Sequence, residues 1–153
     1  MNVSLLLHVL GVVVWVGGMF FAYMALRPVA ASVLEPPQRL TLWSGVFGKF
    51  FPWVWASVAL ILLTGLHMLV KIGGMAAPHY AMAMLVLGVV MLLIYAHVFF
   101  APYKKLKRAV AEQNWKAGGA ALGQIRQLIG INLSLGLITI TLVFAGRMLV
   151  PGA

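Results

Sequence analysis

Hydrophobic positions dominate this chain in four long runs, and short stretches that contain charged residues separate the runs. They cover about residues 3–26, 50–70, 79–101 and 128–150. Each run has roughly the 20 apolar residues that a helix needs to cross a hydrocarbon layer about 30 Å thick. The pattern predicts an all-α integral membrane protein, in which four transmembrane helices form an up-and-down bundle as one domain over residues 1–153.

Prolines indicate where these helices end. Arg27 and Pro28 are predicted to close the first helix, and Glu35–Pro37 is predicted to form a turn, because proline disfavours continuous helix. The first run has no basic residue ahead of it and is longer than a signal-peptide core, so we expect a retained helix.

Two polar stretches between the runs have apolar residues at helical spacing. The first stretch predicts a short helix in the headgroup zone, or else an extension of the second span; its apolar positions are Leu40, Trp43 and Phe47. The second stretch, residues 103–127, holds six basic residues and predicts an interfacial helix on anionic headgroups.

The basic residues are distributed unequally between the two sides of the predicted bundle. The chain has 11 Lys and Arg residues against two acidic residues, a formal net charge of +9. All but Lys71 and Arg147 lie in or beside the first and third loops. Since basic loops stay in the cytoplasm, we expect both termini in the periplasm. The charge therefore indicates membrane orientation and not nucleic-acid binding.

Several kinds of chemistry are disfavoured by composition. The chain has no cysteine, which excludes disulfides, thiolate metal sites and iron–sulfur clusters. Its two acidic residues, Glu35 and Glu112, both fall in predicted loops, so the sequence offers no carboxylate pair for acid–base catalysis. Whether the protein is an enzyme stays open at this point.

Histidines within the predicted spans are the main candidate ligands. His8 and His67 are expected at similar depths below the outer surface, where two imidazoles from neighbouring helices could bind copper, zinc or haem iron. Glycines near both histidines are compatible with a haem slot, and Lys71 and Arg147 could then receive the haem propionates. The same glycines and histidines are also compatible with ordinary helix packing.

A second candidate metal site lies in the outer loop before the third span. Met75, His79 and Met82 supply two thioethers and an imidazole, and thioether ligands favour Cu(I). Methionines also fill irregular gaps in apolar cores, which is the alternative interpretation.

The remaining histidine, His97, is expected at the cytoplasmic end of the third span. It falls near the level of Arg27, Arg126 and Asn132. Such a group could bind an anionic headgroup or form a second proton or metal site. Basic side chains that reach the interface by snorkelling are the simpler explanation.

Four parts of the chain resemble the CopD family, bacterial inner-membrane proteins that are named for copper resistance. They are His8–Gly18, Thr64–Leu66, Tyr95–His97 with the basic run that follows it, and Ile131–Leu133. The resemblance implies copper handling at the inner membrane, by uptake or transfer, usually beside a periplasmic copper carrier.

The chain is also similar to HemJ, a four-helix haem protein that oxidises protoporphyrinogen IX, at His8, Trp15, Gly18, Arg27 and His97. HemJ carries a lysine within its third helix and an Asn-Glu pair in its fourth. Here residues 72–103 contain no lysine, and the asparagine at 132 is followed by leucine. This resemblance implies haem binding through His8, and the two departures put the oxidase activity in doubt.

Three hypotheses for function follow from the sequence. The first is copper handling with a copper ion at an intramembrane histidine site, and the second is a b-type haem redox protein with a redox partner. The third is an accessory membrane subunit without a metal, in which the histidines only bridge helices. Each requires the lipid bilayer, none requires nucleic acid, and a homo-oligomer stays open.

Overall fold

The computed structural model describes residues 2–149, and this range is helical apart from short turns. Met1 and residues 150–153, including the last residue of the fourth predicted span, lie outside it. The helices are α1 (Asn2–Phe21), a π-helical turn (Ala22–Leu26), α2 (Arg27–Val33), α3 (Pro36–Lys71), a 3₁₀ turn (Gly74–Ala76), α4 (His79–Phe100), α5 (Pro102–Ala111) and α6 (Trp115–Leu149).

Four helical segments are long and apolar enough to cross a membrane, which confirms the predicted all-α fold with four spans. They are Asn2–Val33, Pro36–Lys71, His79–Ala111 and Trp115–Leu149. Each contains 32 to 36 residues, or roughly 50 Å of helix at 1.5 Å per residue. Because the hydrocarbon layer is only about 30 Å thick, part of every segment extends beyond it.

Neighbouring segments run antiparallel. His8 lies against Gly65 and Phe50 lies against Gly18, which fixes the direction of α3 relative to α1. Tyr80 lies against Gly146 in the same way, between α4 and α6. We call the end that holds residues 2, 71–79 and 149 the terminal end, and the end that holds residues 33–36 and 102–115 the basic end.

The sequence pattern predicts that the first span ends at Arg27 and Pro28. In the structure the helix continues past them. The backbone N–H of Arg27 bonds to the carbonyl of Ala22, five residues back, so the helix widens here into a π turn. The wider turn accommodates a proline, which has no N–H and whose ring would clash in a regular α-helix. The chain turns instead at Leu34 and Glu35, where the backbone is extended.

The apolar residues near the start of α3 belong to the core and not to a helix on the headgroups. Leu40, Trp43 and Phe47 are 2%, 5% and 2% exposed. They lie on the first three turns of one unbroken helix. Of the two predicted alternatives, the structure therefore has the extension of the second span.

The third predicted loop divides between two helices. Its first part forms the short helix α5, and its second part is the beginning of α6, which starts at Trp115 and not near residue 128. Leu106 of α5 and Ile125 of α6 are both completely buried. These helices pack on each other and on α3 because their apolar faces cover one another, so the hydrophobic core of the bundle continues into the basic end.

Candidate functional site

Close packing between α1 and α3 positions the first candidate ligand. A Cβ atom added at Gly11 would lie 2.9 Å from Ile61 Cγ1 and 3.1 Å from the backbone oxygen of Ser57. Only glycine permits two helices to approach this closely at that point. His8 lies one turn from Gly11, and the close approach brings its ring into contact with α3.

His8 makes a polar contact with Thr64 across the helix pair. His8 Nδ1 lies 3.1 Å from Thr64 Oγ1, and the ring rests on Gly65, where an added Cβ would be 3.1 Å from its Cε1 atom. Thr64 is 8% exposed, and His8 is half-buried. Gly65 therefore leaves room for the ring, and Thr64 supplies a polar partner for it.

The hydrogen bonds of Thr64 favour one tautomer of His8. Thr64 Oγ1 donates its one proton to the carbonyl oxygen of Leu60 at 2.5 Å. With that proton committed, the Thr64 oxygen can accept from His8 Nδ1–H, and in this tautomer Nε2 keeps its lone pair. Metal-binding histidines commonly have this arrangement, in which a partner on one ring nitrogen orients the other toward the metal.

The sequence analysis predicts that His67 lies opposite His8. In the structure it does not. The positions of α3 that contact α1 are Ser57, Ile61 and the pair Thr64–Gly65. Continuing at helical spacing, this stripe reaches Met68, and His67 is turned away from it by about 100°. His67 is exposed, whereas Met68 is half-buried.

The sequence of α3 is compatible with two contact stripes. Residues 57, 61, 65 and 68 follow the spacing of a contact stripe, and glycine stands in it where the ring of His8 rests. A stripe drawn through Leu60, Thr64 and Lys71 includes His67 instead, and only the helix contacts distinguish the two.

The predicted haem slot between α1 and α3 does not fit these residues. The space beside Gly11 is occupied by Ile61, that beside Gly18 by Phe50, and that beside Gly65 by His8 itself. No gap for a porphyrin is left along this contact. Two other predicted haem residues, Lys71 and Arg147, are exposed at the terminal end.

The second predicted copper set also lies at the terminal end. Met75 is 87% exposed in the 3₁₀ turn, His79 is exposed at the first position of α4, and Met82 is half-buried one turn later. Within residues 2–149, no three His, Asp or Glu side chains group closely enough to hold a metal ion. A copper site with three side-chain ligands in this range would therefore include other ligands, such as methionine.

The predicted group around His97 separates into different environments. His97 is exposed, whereas Asn132 is 3% exposed and its Nδ2 donates to the carbonyl oxygen of Met91 at 3.2 Å. Asn132 Oδ1 is buried without a partner in the described part of the chain. Arg27 and Arg126 line a cavity at the basic end, in which neither His97 nor Asn132 takes part.

Comparison with protein families gives one match, to the family described as copper resistance protein D, CopD, over residues 44–145. The matched range includes Thr64 and Gly65, but it begins after α1 and so does not include His8. Comparisons with curated proteins and with solved structures give no match.

Proposed function

We propose, because the chain belongs to the copper resistance protein D family, that it takes up Cu(I) within the membrane and hands it on. The observation that carries this proposal is the hydrogen bond between His8 and Thr64. It leaves Nε2 of a half-buried imidazole as a lone-pair donor, and neutral imidazole is a good copper ligand.

Methionine thioethers complete the proposed site. Met68 follows Gly65 on the α1-facing stripe of α3, one turn nearer the terminal end, and thioether sulfur favours Cu(I) over harder cations. We assign Met68 and His8 as the inner ligands. His67 lies on the neighbouring face of the same turn, where it is exposed and can receive an ion from the surface.

The exposed group Met75, His79 and Met82 is proposed as the point of arrival. These residues lie at the same end of the bundle as His8 and Met68. Their exposure suits exchange of copper with a carrier protein. Since the basic loops lie at the opposite end, we place the terminal end in the periplasm and the protein in the bacterial inner membrane.

Thr64→Val tests this proposal with little change in shape. The variant keeps every proposed ligand and removes only the group that orients His8. We expect Cu(I) affinity to fall about 10- to 100-fold, the usual effect of losing a partner that orients a metal ligand. Affinity is measured by competition with a coloured Cu(I) chelator on the detergent-purified protein.

Thr139→Val is the matched control. Thr139 also donates to the carbonyl four residues back, Leu135, at 2.7 Å, but it belongs to α6 and touches no histidine. We expect its Cu(I) affinity to equal that of the unmodified protein. His8→Ala should lose more affinity than Thr64→Val, whereas His97→Ala at the basic end should lose none.

Two results would contradict the proposal. If the unmodified protein binds no Cu(I) in competition with the chelator, the contact between His8 and Thr64 serves helix packing and the accessory-subunit hypothesis is favoured. If Thr64→Val and Thr139→Val bind equally well, copper does not depend on the orientation of His8.

A further inference from the structure

A cavity lies at the basic end of the bundle. It has a volume of about 320 Å³ and opens between the end of the first span, the start of α3 and the start of α6. Three arginines, one from each of these segments, contribute to its wall; they are Arg27, Arg39 and Arg126. A volume of this order is typical of small-ligand pockets.

Two of the three guanidinium groups make contacts that hold them in place. Arg27 lies over the ring of Tyr23, at 4.2 Å from the ring centroid, and Arg39 donates to the backbone oxygen of Ala31 at 3.5 Å. The residues that line the cavity, all within residues 2–149, include no acidic side chain. Three like charges on one concave surface repel each other, so an anion in the cavity stabilises them.

The wall formed by α6 leaves open space for a ligand. Gly119 and Gly123 stand one turn apart, and a Cβ atom added to either would meet no atom within 4 Å. Glycine inside a helix is less favourable than alanine, and packing against the rest of the protein does not require it at these two positions. Because no side chain fills this part of the wall, a bulky anionic group has room to enter beside the arginines.

The position and lining of the cavity indicate an amphiphilic ligand. Arg27 lies about 38 Å along the helix from Asn2, which is beyond the roughly 30 Å of hydrocarbon. The arginines therefore lie at headgroup level. Trp115, Leu122 and Ile129, which are half-buried, add apolar surface to the same cavity, against which an acyl chain can pack.

From this arrangement we infer that the cavity binds the phosphate headgroup of an anionic phospholipid, with its acyl chain on the apolar residues. Arginine suits this role because its fork of N–H donors matches phosphate oxygens. The inference does not depend on copper binding, since none of the proposed copper ligands lines the cavity.

Gly123→Leu tests the inference by filling the cavity without changing any charge. Binding is measured by native mass spectrometry of the detergent-purified protein, titrated with dioleoyl phosphatidylglycerol or dioleoyl phosphatidylcholine. We expect the unmodified protein to retain phosphatidylglycerol in preference to phosphatidylcholine, and Gly123→Leu to lose that preference. Gly45→Leu is the control, because Gly45 is equally open but lies outside the cavity.

Arg39→Gln tests the charge separately, in case Gly123→Leu disturbs the helix. Each basic residue near a membrane surface contributes about a fivefold factor in binding to anionic lipid, so phosphatidylglycerol should bind about fivefold more weakly. Lys49→Gln removes an exposed charge outside the cavity and should have a smaller effect.

Three results would overturn the inference. Equal binding of the two lipids would show that the arginines do not select an anion. Phosphatidylglycerol binding that survives Gly123→Leu would place the lipid elsewhere. Stabilisation by inorganic phosphate, without selective retention of phosphatidylglycerol, would identify a soluble anion as the ligand in place of a lipid.

Discussion

Gly11→Ala should fail to stabilise the protein, although replacing glycine by alanine inside a helix normally stabilises it. The helix preference alone favours alanine by about 1 kcal/mol. At Gly11, however, the new methyl group would lie 2.9 Å from Ile61 Cγ1 and 3.1 Å from the backbone oxygen of Ser57. Carbon atoms in comfortable contact are roughly 3.5 to 4.0 Å apart.

The magnitude follows from which neighbour can move. The side chain of Ile61 can shift, but the Ser57 oxygen is part of the α3 backbone, so α1 and α3 must separate. Overpacking of this kind costs about 1 to 3 kcal/mol. Set against the helix preference of about 1 kcal/mol, the free energy of unfolding should be unchanged or fall by up to about 2 kcal/mol.

Gly17→Ala provides the matched control on the same helix. Gly17 is exposed, and an added Cβ would meet nothing within 4 Å. This variant should keep the stabilisation that alanine gives a helix, without the cost of overpacking. The free energies of unfolding of the two variants should therefore differ by about 1 to 3 kcal/mol. Unfolding by dodecyl sulfate in mixed micelles, followed by tryptophan fluorescence, measures the difference. If Gly11→Ala proves as stable as Gly17→Ala, our description of the contact between α1 and α3 is incorrect.

Three further predictions concern orientation and the core. In intact cells an impermeant maleimide should label Met75→Cys but not Lys116→Cys, and the reverse pattern would invert the proposed orientation; the chain has no other cysteine. Tyr95→Phe removes the 3.1 Å hydrogen bond to the Phe51 carbonyl and should cost about 0.6 kcal/mol in the same unfolding assay, whereas unchanged stability would mean that the bond contributes nothing. Trp43→Ala should cost about 3 to 5 kcal/mol, as in a packed core, and a loss below about 1 kcal/mol would indicate that Trp43 faces headgroups.

The sequence predicted the spans better than their ends. Hydrocarbon thickness sets a minimum apolar length, so four runs indicate four helices whatever their neighbours are. No such rule applies outside the hydrocarbon. Leu40 and Ile125 stand among charged residues, and such a pattern suits a helix on headgroups as well as a helix that packs on other helices. The structure buries both.

The candidate site shows a similar division. Histidine within a span can be recognised from sequence because a polar side chain in the bilayer is costly. The partner of His8 cannot be recognised in this way, because it depends on how far α3 is rotated about its own axis. A rotation of about 100° exchanges one residue for the next on the facing stripe, and here it places Met68 and not His67 on that stripe.

The sequence by itself determined the number of spans, the end at which basic charge gathers and the presence of histidine within the apolar runs. These properties depend only on apolar length and on residue type. Tertiary structure decided that His8 contacts Thr64 and that side chains of α3 occupy the space beside Gly11 and Gly18. It also decided that three arginines, Arg27, Arg39 and Arg126, line one cavity. Each of these depends on the distance and rotation between helices, which are set by packing among residues far apart in the chain.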